Sequence, residues 1–313
     1  MTAKPKIFID GEAGTTGLQI RERLAGLSTV EVLSIDPVLR KDAQARGKLM
    51  GAADLVILCL PDEAAVEAVA LADRLGAPSP KIIDASSAHR VASGWTYGFA
   101  ELNGAQADAI RASRRVTNPG CYPTGAIALL RPLVDAGLIP ASHPICVNAV
   151  SGYTGGGNAM IASYEVSKTA PAFELYGLAL THKHVPELQT YSGLTRRPIF
   201  VPSVGNFAQG MLVSIPLHLD TLPGNPTAAE LEAVLTKRYG GSQFVSVIPA
   251  AAQTFKGRIA AETLAGTDKL ELAVFGHASE PQVVLVARLD NLGKGAAGAA
   301  VQNLQLMLGL ASQ

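Results

Sequence analysis

A cysteine near the middle of the chain has the surroundings of a nucleophile. Cys121 follows Pro119 and Gly120 and precedes an apolar stretch, residues 124–133, whose pattern predicts a helix. The sulfur is therefore expected at a helix N-terminus, where the positive end of the helix dipole and free N–H groups favour a thiolate. A thiolate attacks carbonyl carbons, which makes Cys121 a candidate for covalent catalysis. The alternative is a small buried apolar side chain, the role of most free cysteines.

Two histidines, His182 and His184, form a second candidate group together with Glu187. Imidazole titrates near neutral pH, so either ring could transfer a proton during catalysis, and Glu187 could orient one of them. Two histidines two positions apart, with no further evident ligand, are weak evidence for zinc, and we predict no metal site. The alternative is an ordinary surface loop, and which histidine transfers the proton stays open.

Polar side chains follow two of the predicted strands and could contact a ligand. Ser86 and Arg90 come after a strand pattern in the first third of the chain, and ligands bind at strand ends in open α/β sheets. The Arg90 guanidinium would suit a phosphate group, and the alternative is a helix cap with a surface arginine. Residues 151–158, beginning with Ser151 and Gly152, are predicted to form a flexible polar loop that either wraps a small ligand or is a plain connection.

The start of the chain predicts the element that would hold a dinucleotide. Residues 6–10 read as a short buried strand, which leads into a turn with Gly11, Gly14 and Gly17 and then into a helix pattern. The three glycines permit a tight turn, close approach of the backbone to a pyrophosphate and close packing of helix on strand. The pyrophosphate would lie at the helix N-terminus. The alternative is a glycine-rich turn without a ligand.

Two signals for the cofactor conflict. Asp36 lies 19 residues after Gly17, where an acidic side chain would bind the ribose of NAD. Arg40 and Lys41 follow closely, and a cation there could neutralise the 2′-phosphate of NADP. Asp36 could instead be a turn residue ahead of Pro37, and the two cations could simply be solvated.

The order of the patterns predicts an α/β first domain. Strand and helix patterns alternate up to about residue 122, which favours a Rossmann-like, doubly wound parallel sheet. The predicted strands cover residues 6–10, 30–35, 55–60 and 81–84, and the clearest helices cover residues 18–24 and 63–75.

After residue 122 the connections become longer and irregular, which predicts an α+β domain with a mixed or antiparallel sheet and helices on one face. We expect its strands at residues 145–151, 211–219, 270–277 and 283–290, and a helix at 228–239. A last helix, residues 296–310, is predicted to return to the first domain. The chain is thus expected to contain a dinucleotide-binding domain (1–122 and 291–313) and a catalytic, substrate-binding and oligomerisation domain (123–290).

Composition narrows the class of protein. The chain has 313 residues, of which 48% are hydrophobic, and its 26 basic side chains balance its 26 acidic ones. A neutral balance argues against a nucleic-acid partner or an electrostatic membrane anchor. No secretory signal or long apolar run is evident, and three cysteines form no disulfide or metal pattern, so a cytoplasmic location is expected. Cys59 and Cys146 lie in apolar strand patterns and are predicted core residues.

Together these motifs resemble the aspartate-semialdehyde dehydrogenase superfamily over nearly the whole chain. The most specific parts are residues 118–124 (NPGCYPT), 182–187 (HKHVPE) and 294–303 (KGAAGAAVQN). They are most similar to the short form of the branch that reduces N-acetylglutamyl phosphate in arginine biosynthesis. The longer members carry DLSADFR where residues 84–90 read DASSAHR, and SGxSGAG where residues 151–157 read SGYTGGG.

The resemblance implies an NADPH-dependent acyl-phosphate reductase that forms a thioester on Cys121. It implies a homo-oligomer, a dimer or a tetramer, with a small-molecule acyl phosphate and inorganic phosphate as ligands. It implies His184 or His182 as the proton-transfer group, and it favours Arg40 and Lys41 over Asp36. The implied cofactor contacts are Gly11, Gly14, Thr15, Thr16, Gly17, Arg40, Lys41, Asn291, Lys294 and Gly295. The implied substrate contacts are Ser86, Arg90, Asn118, Ser151 and Gly152.

Three alternative functions are consistent with parts of this pattern. The first is reduction of another acyl phosphate, aspartyl phosphate or a carrier-linked aminoadipyl phosphate. The second is a non-catalytic nucleotide sensor on the same scaffold, which needs no thiolate. The third is a cysteine hydrolase, which leaves the glycine-rich turn unexplained.

Overall fold

The computed structural model describes residues 3–76, 79–250 and 257–311. The chain divides into two compact units, which are treated separately below. Unit 1 consists of Met1–Ala100, Ala105–Pro119 and Ala296–Gln313, and unit 2 of Glu101–Gly104 and Gly120–Gly295. The boundaries of the two functional domains, expected near residues 122 and 291, stay predictions.

Unit 1 is built on a six-stranded parallel sheet in the order β2-β1-β3-β4-β6-β5. Its central strands are almost uninterrupted apolar runs, because helices cover both faces of a parallel sheet. The strands are β1 (Lys6–Asp10), β2 (Glu31–Leu33), β3 (Leu55–Leu58), β4 (Lys81–Asp84), β5 (Thr96–Tyr97) and β6 (Arg115–Thr117).

Alternate residues of β1 enter two different cores. Ile7 and Ile9 pack in one cluster with residues of the first and last helices, including Ala300 and Leu304. Phe8 packs in the other cluster, with residues of the second and third helices. The predicted doubly wound sheet and the return of the last helix to it are therefore confirmed. The helices are α1 (Thr15–Ala25), α2 (Ala43–Ala52), α3 (Asp62–Arg74), α4 (Gln106–Ala112) and, at the end of the chain, α9 (Gly298–Leu308).

Unit 2 contains a seven-stranded mixed sheet in the order β11-β12-β13-β10-β7-β9-β8. Four neighbouring pairs are antiparallel, and β11–β12 and β7–β9 are parallel. The mixed sheet that the sequence predicts is thus confirmed. The strands are β7 (Cys146–Gly152), β8 (Phe173–Leu175), β9 (Ile199–Gly205), β10 (Met211–His218), β11 (Val245–Ile248), β12 (Leu270–Gly276) and β13 (Gln282–Leu289).

Helix α5 (Cys121–Asp135) is the buried helix of unit 2. At Gly125 a Cβ atom would lie 2.9 Å from Val213 and 3.1 Å from Ala287, so the helix packs directly on β10 and β13. The other helices are α6 (Gly157–Glu165), α7 (Val185–Ser192) and α8 (Ala228–Tyr239).

One expectation for a connecting segment is wrong. Ser151 and Gly152 end strand β7, and the glycines that follow form a 3-10 turn, Tyr153–Gly156, and the start of α6. Residues 151–158 therefore form regular structure and not a flexible loop. Glycine makes this possible because it allows close approaches of the backbone that other residues cannot make. The histidine motif leads into α7: His184 is the N-cap, and Glu187 lies in the first turn.

Within the three described ranges, no helix is both long enough and apolar enough to cross a membrane.

Candidate active site

Cys121 is the first residue of α5, as the sequence predicts. Its neighbour Gly120 is the N-cap, with an extended backbone (φ −70°, ψ 151°), and no side chain caps the helix. No acidic residue lies in the first turn. The sulfur therefore lies beside the positive end of the helix dipole and close to first-turn N–H groups, the surroundings that favour a thiolate and could bind an oxyanion.

Gly295 packs directly against Cys121. A Cβ atom at Gly295 would lie 2.9 Å from the Cβ of Cys121 and 2.9 Å from the backbone oxygen of Asp290. Any larger residue at position 295 would clash with Cys121 and displace it. Only glycine therefore fits at this position without moving the candidate nucleophile. The family resemblance associates Gly295 with the cofactor, and nothing in the local sequence pattern predicts its contact with Cys121.

The residue before this glycine is held by a buried ion pair. Lys294 is 1% exposed, and its Nζ donates to both carboxylate oxygens of Glu101 at 2.8 Å. The ammonium also lies 5.0 Å from the ring centre of Phe244. Lys294 belongs to a π-helical turn, Gly293–Ala297, a geometry that is common at functional sites. Glu101 carries no sequence signal, since its partner is 193 residues away.

Glu187 connects α7 to the corner that carries the nucleophile. Its carboxylate is 1% exposed, and Oε1 accepts the N–H of Gly120 at 2.7 Å. The nearby Tyr191 has its pKa raised to about 12, first by burial and then by the charge of Glu187. The carboxylate is thus placed to fix the backbone one residue before Cys121.

We expect Glu187→Ala to lower the free energy of unfolding by about 2 kcal/mol, because a buried hydrogen bond to a charged acceptor contributes roughly 1.5–3 kcal/mol. Glu187→Gln keeps an acceptor and should cost less. Both changes remove a negative charge beside Cys121, so the thiol should be alkylated at lower pH in both variants. Urea unfolding and the pH profile of iodoacetamide labelling measure the two effects. Unchanged labelling profiles in both variants would contradict this role.

The two histidine rings lie together, with centres 4.7 Å apart. The N–H of His184 donates to Nδ1 of His182 at 3.1 Å, so neutral His182 carries its proton on Nε2. His184 is 7% exposed, whereas His182 is half-buried. The Tyr122 ring lies 6.0 Å from the His184 ring and 6.5 Å from the His182 ring, so both histidines adjoin the helix that begins at Cys121.

Two tyrosines complete this group, and neither was a sequence candidate. Tyr176 donates its hydroxyl to that of Tyr122 at 3.1 Å, and Tyr122 donates to the carbonyl oxygen of Ser203 at 2.8 Å. Burial raises the pKa of both hydroxyls, Tyr176 to about 12, and the charge of Cys121 adds to both shifts. Both hydroxyls therefore stay protonated near neutral pH and remain hydrogen-bond donors.

Strand β7 ends with Ser151 and Gly152, and the side chain of Asn291 lies beside this strand end. A Cβ atom at Gly152 would lie 2.4 Å from the backbone oxygen of Ala208, so only glycine fits. The Asn291 side chain accepts the N–H of Gly210 and donates to Thr154, both at 2.9 Å. In this structure its amide joins two segments of unit 2.

The glycine-rich turn of unit 1 has the geometry of a dinucleotide cradle. Gly11 has φ +91°, and a Cβ atom there would lie 2.3 Å from the backbone oxygen of Cys59. At Gly17 a Cβ would lie 2.5 Å from the oxygen of Gly11. Gly14 is the N-cap of α1, followed by Thr15 and Thr16, and no side chain caps this helix. The turn therefore fits a pyrophosphate at the helix N-terminus.

We expect Gly17→Ala to abolish dinucleotide binding, because the added Cβ must displace the backbone at Gly11. Overpacking of this kind costs roughly 1–3 kcal/mol of stability. Gly51→Ala is the matched control, since its Cβ would meet nothing closer than 4.0 Å. Quenching of protein fluorescence by the cofactor measures binding, and equal affinities in the two variants would contradict the assignment.

Near the end of β2 the structure favours the turn role for Asp36. Its Oδ1 accepts the N–H of Val38 at 2.9 Å, and Arg40 donates through Nε to the carbonyl oxygen of Pro37 at 2.9 Å. Asp36, Arg40 and Lys41 are all exposed. Arg40 and Lys41 thus remain accessible cations in unit 1.

Asp10, at the end of β1, forms an ion pair with Arg46 that no local sequence pattern predicts. Arg46 donates to its carboxylate from Nη2 at 2.7 Å and from Nε at 3.0 Å. Burial raises the pKa of Asp10, while the hydrogen bonds and charge of Arg46 oppose that shift.

Ser86, Arg90 and Asn118 follow β4 and β6 in unit 1. The Ser86 hydroxyl donates to Asp84 at 2.8 Å, and Arg90 is 7% exposed. The Asn118 amide donates to the carbonyl oxygen of Ala296 at 2.9 Å and accepts from Asn303 at 3.1 Å. Asn118 therefore fixes the strand end just before the nucleophile corner.

In the described parts of the chain, no group of three or more His, Cys, Asp or Glu side chains could hold a metal ion.

Family models match most of the chain. A model described as the NAD binding domain of semialdehyde dehydrogenase matches residues 12–110, and one described as its dimerisation domain matches residues 121–291. Unit 1 is therefore a nicotinamide dinucleotide-binding unit.

Whole proteins and solved structures are also similar. The N-acetyl-gamma-glutamyl-phosphate reductases of Brucella ovis and Brucella canis are 57% identical over 311 residues, which are 98% of this chain and 99% of each relative. Aspartate semialdehyde dehydrogenase II of Vibrio cholerae superposes with a TM-score of 0.72 at 16% identity, over 98% of this chain and 99% of that one. The enzyme of Candida albicans, solved with NADP, gives 0.65 at 13%, with the same coverage. At such identity these structures show the fold alone. The chain therefore belongs to the semialdehyde dehydrogenase family, in the branch of the N-acetyl-gamma-glutamyl-phosphate reductases.

Proposed function

We propose that the chain reduces N-acetyl-L-glutamyl 5-phosphate to N-acetyl-L-glutamate 5-semialdehyde and phosphate, with NADPH, in arginine biosynthesis. The observation that carries this proposal is 57% identity over 98% of the chain to proteins of that activity. The helix N-terminus that bears Cys121 supplies the chemistry. A cytoplasmic location and a dimeric or tetrameric assembly are part of the proposal.

Cys121 acts as the nucleophile in this mechanism. Its thiolate adds to the carbonyl carbon of the acyl phosphate, the bond to the phosphate oxygen breaks, and a thioester forms on the sulfur. When bound, the reduced nicotinamide supplies the hydride that reduces the thioester carbon. First-turn N–H groups of α5 stabilise the oxyanion of the resulting hemithioacetal. His184 or His182 protonates that oxygen and takes the proton back as the aldehyde forms and the thiolate leaves.

The other candidate residues hold the ligands in this proposal. Arg90 and Ser86 bind the phosphate of the substrate, because a guanidinium offers two parallel donors. Ser151 and Gly152 contact the acyl portion, and Asn118 and Glu187 position the corner at Cys121. The cofactor is held by the glycine-rich turn, with Thr15 and Thr16 in the first turn of α1 and with Asn291, Lys294 and Gly295 completing its contacts. Arg40 and Lys41 bind its 2′-phosphate, the feature that distinguishes NADP from NAD.

A phosphate-dependent assay in the oxidative direction tests the proposal. N-acetylglutamate semialdehyde, aspartate semialdehyde and a carrier-linked aminoadipate semialdehyde are compared, each with NADP and with NAD. We expect the first substrate with NADP to give the highest kcat/KM. Faster turnover of aspartate semialdehyde would favour the alternative acyl phosphate, and cofactor binding without any turnover would favour a nucleotide sensor.

A further inference from the structure

Asp84, the last residue of β4, accepts hydrogen bonds from the segment that follows it. The carboxylate is fully buried, and the residues that contact it here belong to unit 1. Its Oδ1 accepts the backbone N–H of Ser86 at 2.8 Å, and its Oδ2 accepts the Ser86 hydroxyl, also at 2.8 Å. Oδ2 accepts a second hydrogen bond, from Nδ1 of His89 at 2.6 Å. One carboxylate oxygen is therefore shared by a serine and a histidine.

The His89 ring is fixed as a donor to this oxygen. A carboxylate only accepts hydrogen bonds, so Nδ1 of His89 carries a proton, which both the neutral and the charged forms of imidazole allow. The ring stacks on Trp95, with ring centres 4.3 Å apart and planes inclined by 21°, and the side chain is 12% exposed. His89 therefore stays bonded to Asp84 whatever the state of its other nitrogen.

Ser86 has a single hydroxyl proton, and in this structure that proton is donated to Asp84. The hydroxyl oxygen also accepts the N–H of Ala88 at 3.2 Å, which fixes the position of Oγ. To donate to a phosphate, the hydroxyl must rotate away from Asp84, and a buried carboxylate that loses a hydrogen bond is destabilised. The bond from His89 remains on the same oxygen, so the rotation leaves Oδ2 with a donor.

We propose that His89 is a positioning residue for phosphate binding. It keeps Oδ2 of Asp84 hydrogen-bonded and thereby releases the Ser86 hydroxyl to donate to the phosphate group of the substrate. Arg90, the next residue, supplies the guanidinium of the same site, and it donates to the carbonyl oxygen of Ala85 at 3.4 Å. The inference rests on the proposed function, in which Ser86 and Arg90 bind the phosphate.

The KM for inorganic phosphate in the oxidative direction tests this role. His89→Phe keeps a flat ring against Trp95 but removes the donor, and we expect it to raise this KM about tenfold, the effect of one hydrogen bond to a charged group. The KM values for the semialdehyde and for NADP should not change. His89→Asn retains a donor, because its amide nitrogen takes the place of Nδ1, and it should restore most of the affinity for phosphate.

A double-mutant cycle separates positioning from a general loss of structure. In the Ser86→Ala background the hydroxyl is absent, so His89→Phe should have little further effect on the KM for phosphate. Additive effects of the two changes would overturn the proposal, as would a failure of His89→Asn to restore phosphate affinity. A rise in the KM for the semialdehyde or NADP equal to that for phosphate would also overturn it, because the change would then be structural.

His218→Phe is the matched control, since this histidine is exposed and lies in unit 2; its KM values should be normal. Thermal unfolding checks that the variants are folded. The kinetics use whichever semialdehyde the unmodified enzyme oxidises fastest, so an error in the proposed substrate leaves this test intact. If no semialdehyde is oxidised, the proposed function fails, and calorimetric titration of inorganic phosphate into the complex with NADP replaces the kinetics. It should rank the variants in the same way, and equal affinities in all of them would overturn the role of His89.

Discussion

Replacement of Cys121 by serine is expected to lower turnover by roughly 10³-fold or more, because a hydroxyl at this helix N-terminus is a far weaker nucleophile than a thiolate. Dinucleotide binding should be unchanged, since the glycine-rich turn lies in unit 1. Steady-state kinetics and fluorescence titration measure the two effects. Mass spectrometry after an acid quench should show the acyl group on Cys121 in the unmodified enzyme.

The other two cysteines provide controls for this result. Burial, with added repulsion from Asp10 and Asp84, raises the pKa of Cys59 to about 12, so this thiol stays protonated. Cys146 is half-buried at the start of β7 in unit 2. Cys59→Ser and Cys146→Ser should therefore keep normal turnover. Substantial activity in Cys121→Ser would exclude a thioester mechanism.

Replacement of Gly295 by alanine is expected to lower kcat by roughly 10²-fold, because displacement of a catalytic atom by about 1 Å can cost that much. The new Cβ would lie 2.9 Å from the Cβ of Cys121, and that contact can be relieved only by moving one of the two backbones. The rate of Cys121 alkylation should change as well, since the sulfur leaves its position at the helix N-terminus. Thermal unfolding reports whether the chain remains folded.

Gly104→Ala is the matched control, because nothing lies within 4 Å of the Cβ it would add. It should retain normal kcat and normal alkylation. Equal kinetics for the alanine variants at 295 and 104 would show that Gly295 does not set the position of the nucleophile.

Short sequence motifs predicted those helices whose ends are set by neighbouring residues. Helix α8 has the predicted bounds because Thr227 and Glu230 form a capping box at its start. Cys121 begins α5 because a Pro-Gly corner precedes it. In contrast, β2 is shorter than the predicted strand at 30–35, and β9 was missed, since Pro202 interrupts its apolar pattern.

The contacts that build the site are long-range, and no pattern in the sequence predicts them. Glu101 meets Lys294 across 193 residues, and Glu187 meets Gly120 across 67. Tyr176 lies 54 residues from its hydrogen-bond partner Tyr122. The types and spacing of residues were therefore enough to identify the candidate nucleophile, the two histidines and the glycine-rich turn. The residues that fix the positions of these groups could be identified only from the folded structure.

Helix α9 has a consequence for how the protein is made. Strand β1 is synthesised before unit 2 and carries Ile7 and Ile9, and the cluster of these two side chains includes Ala300 and Leu304 of α9. During translation this apolar surface stays exposed until unit 2 has been synthesised, because α9 follows unit 2 in the chain. Premature termination even in the last helix should therefore yield aggregation-prone chains, which need chaperones until synthesis is complete.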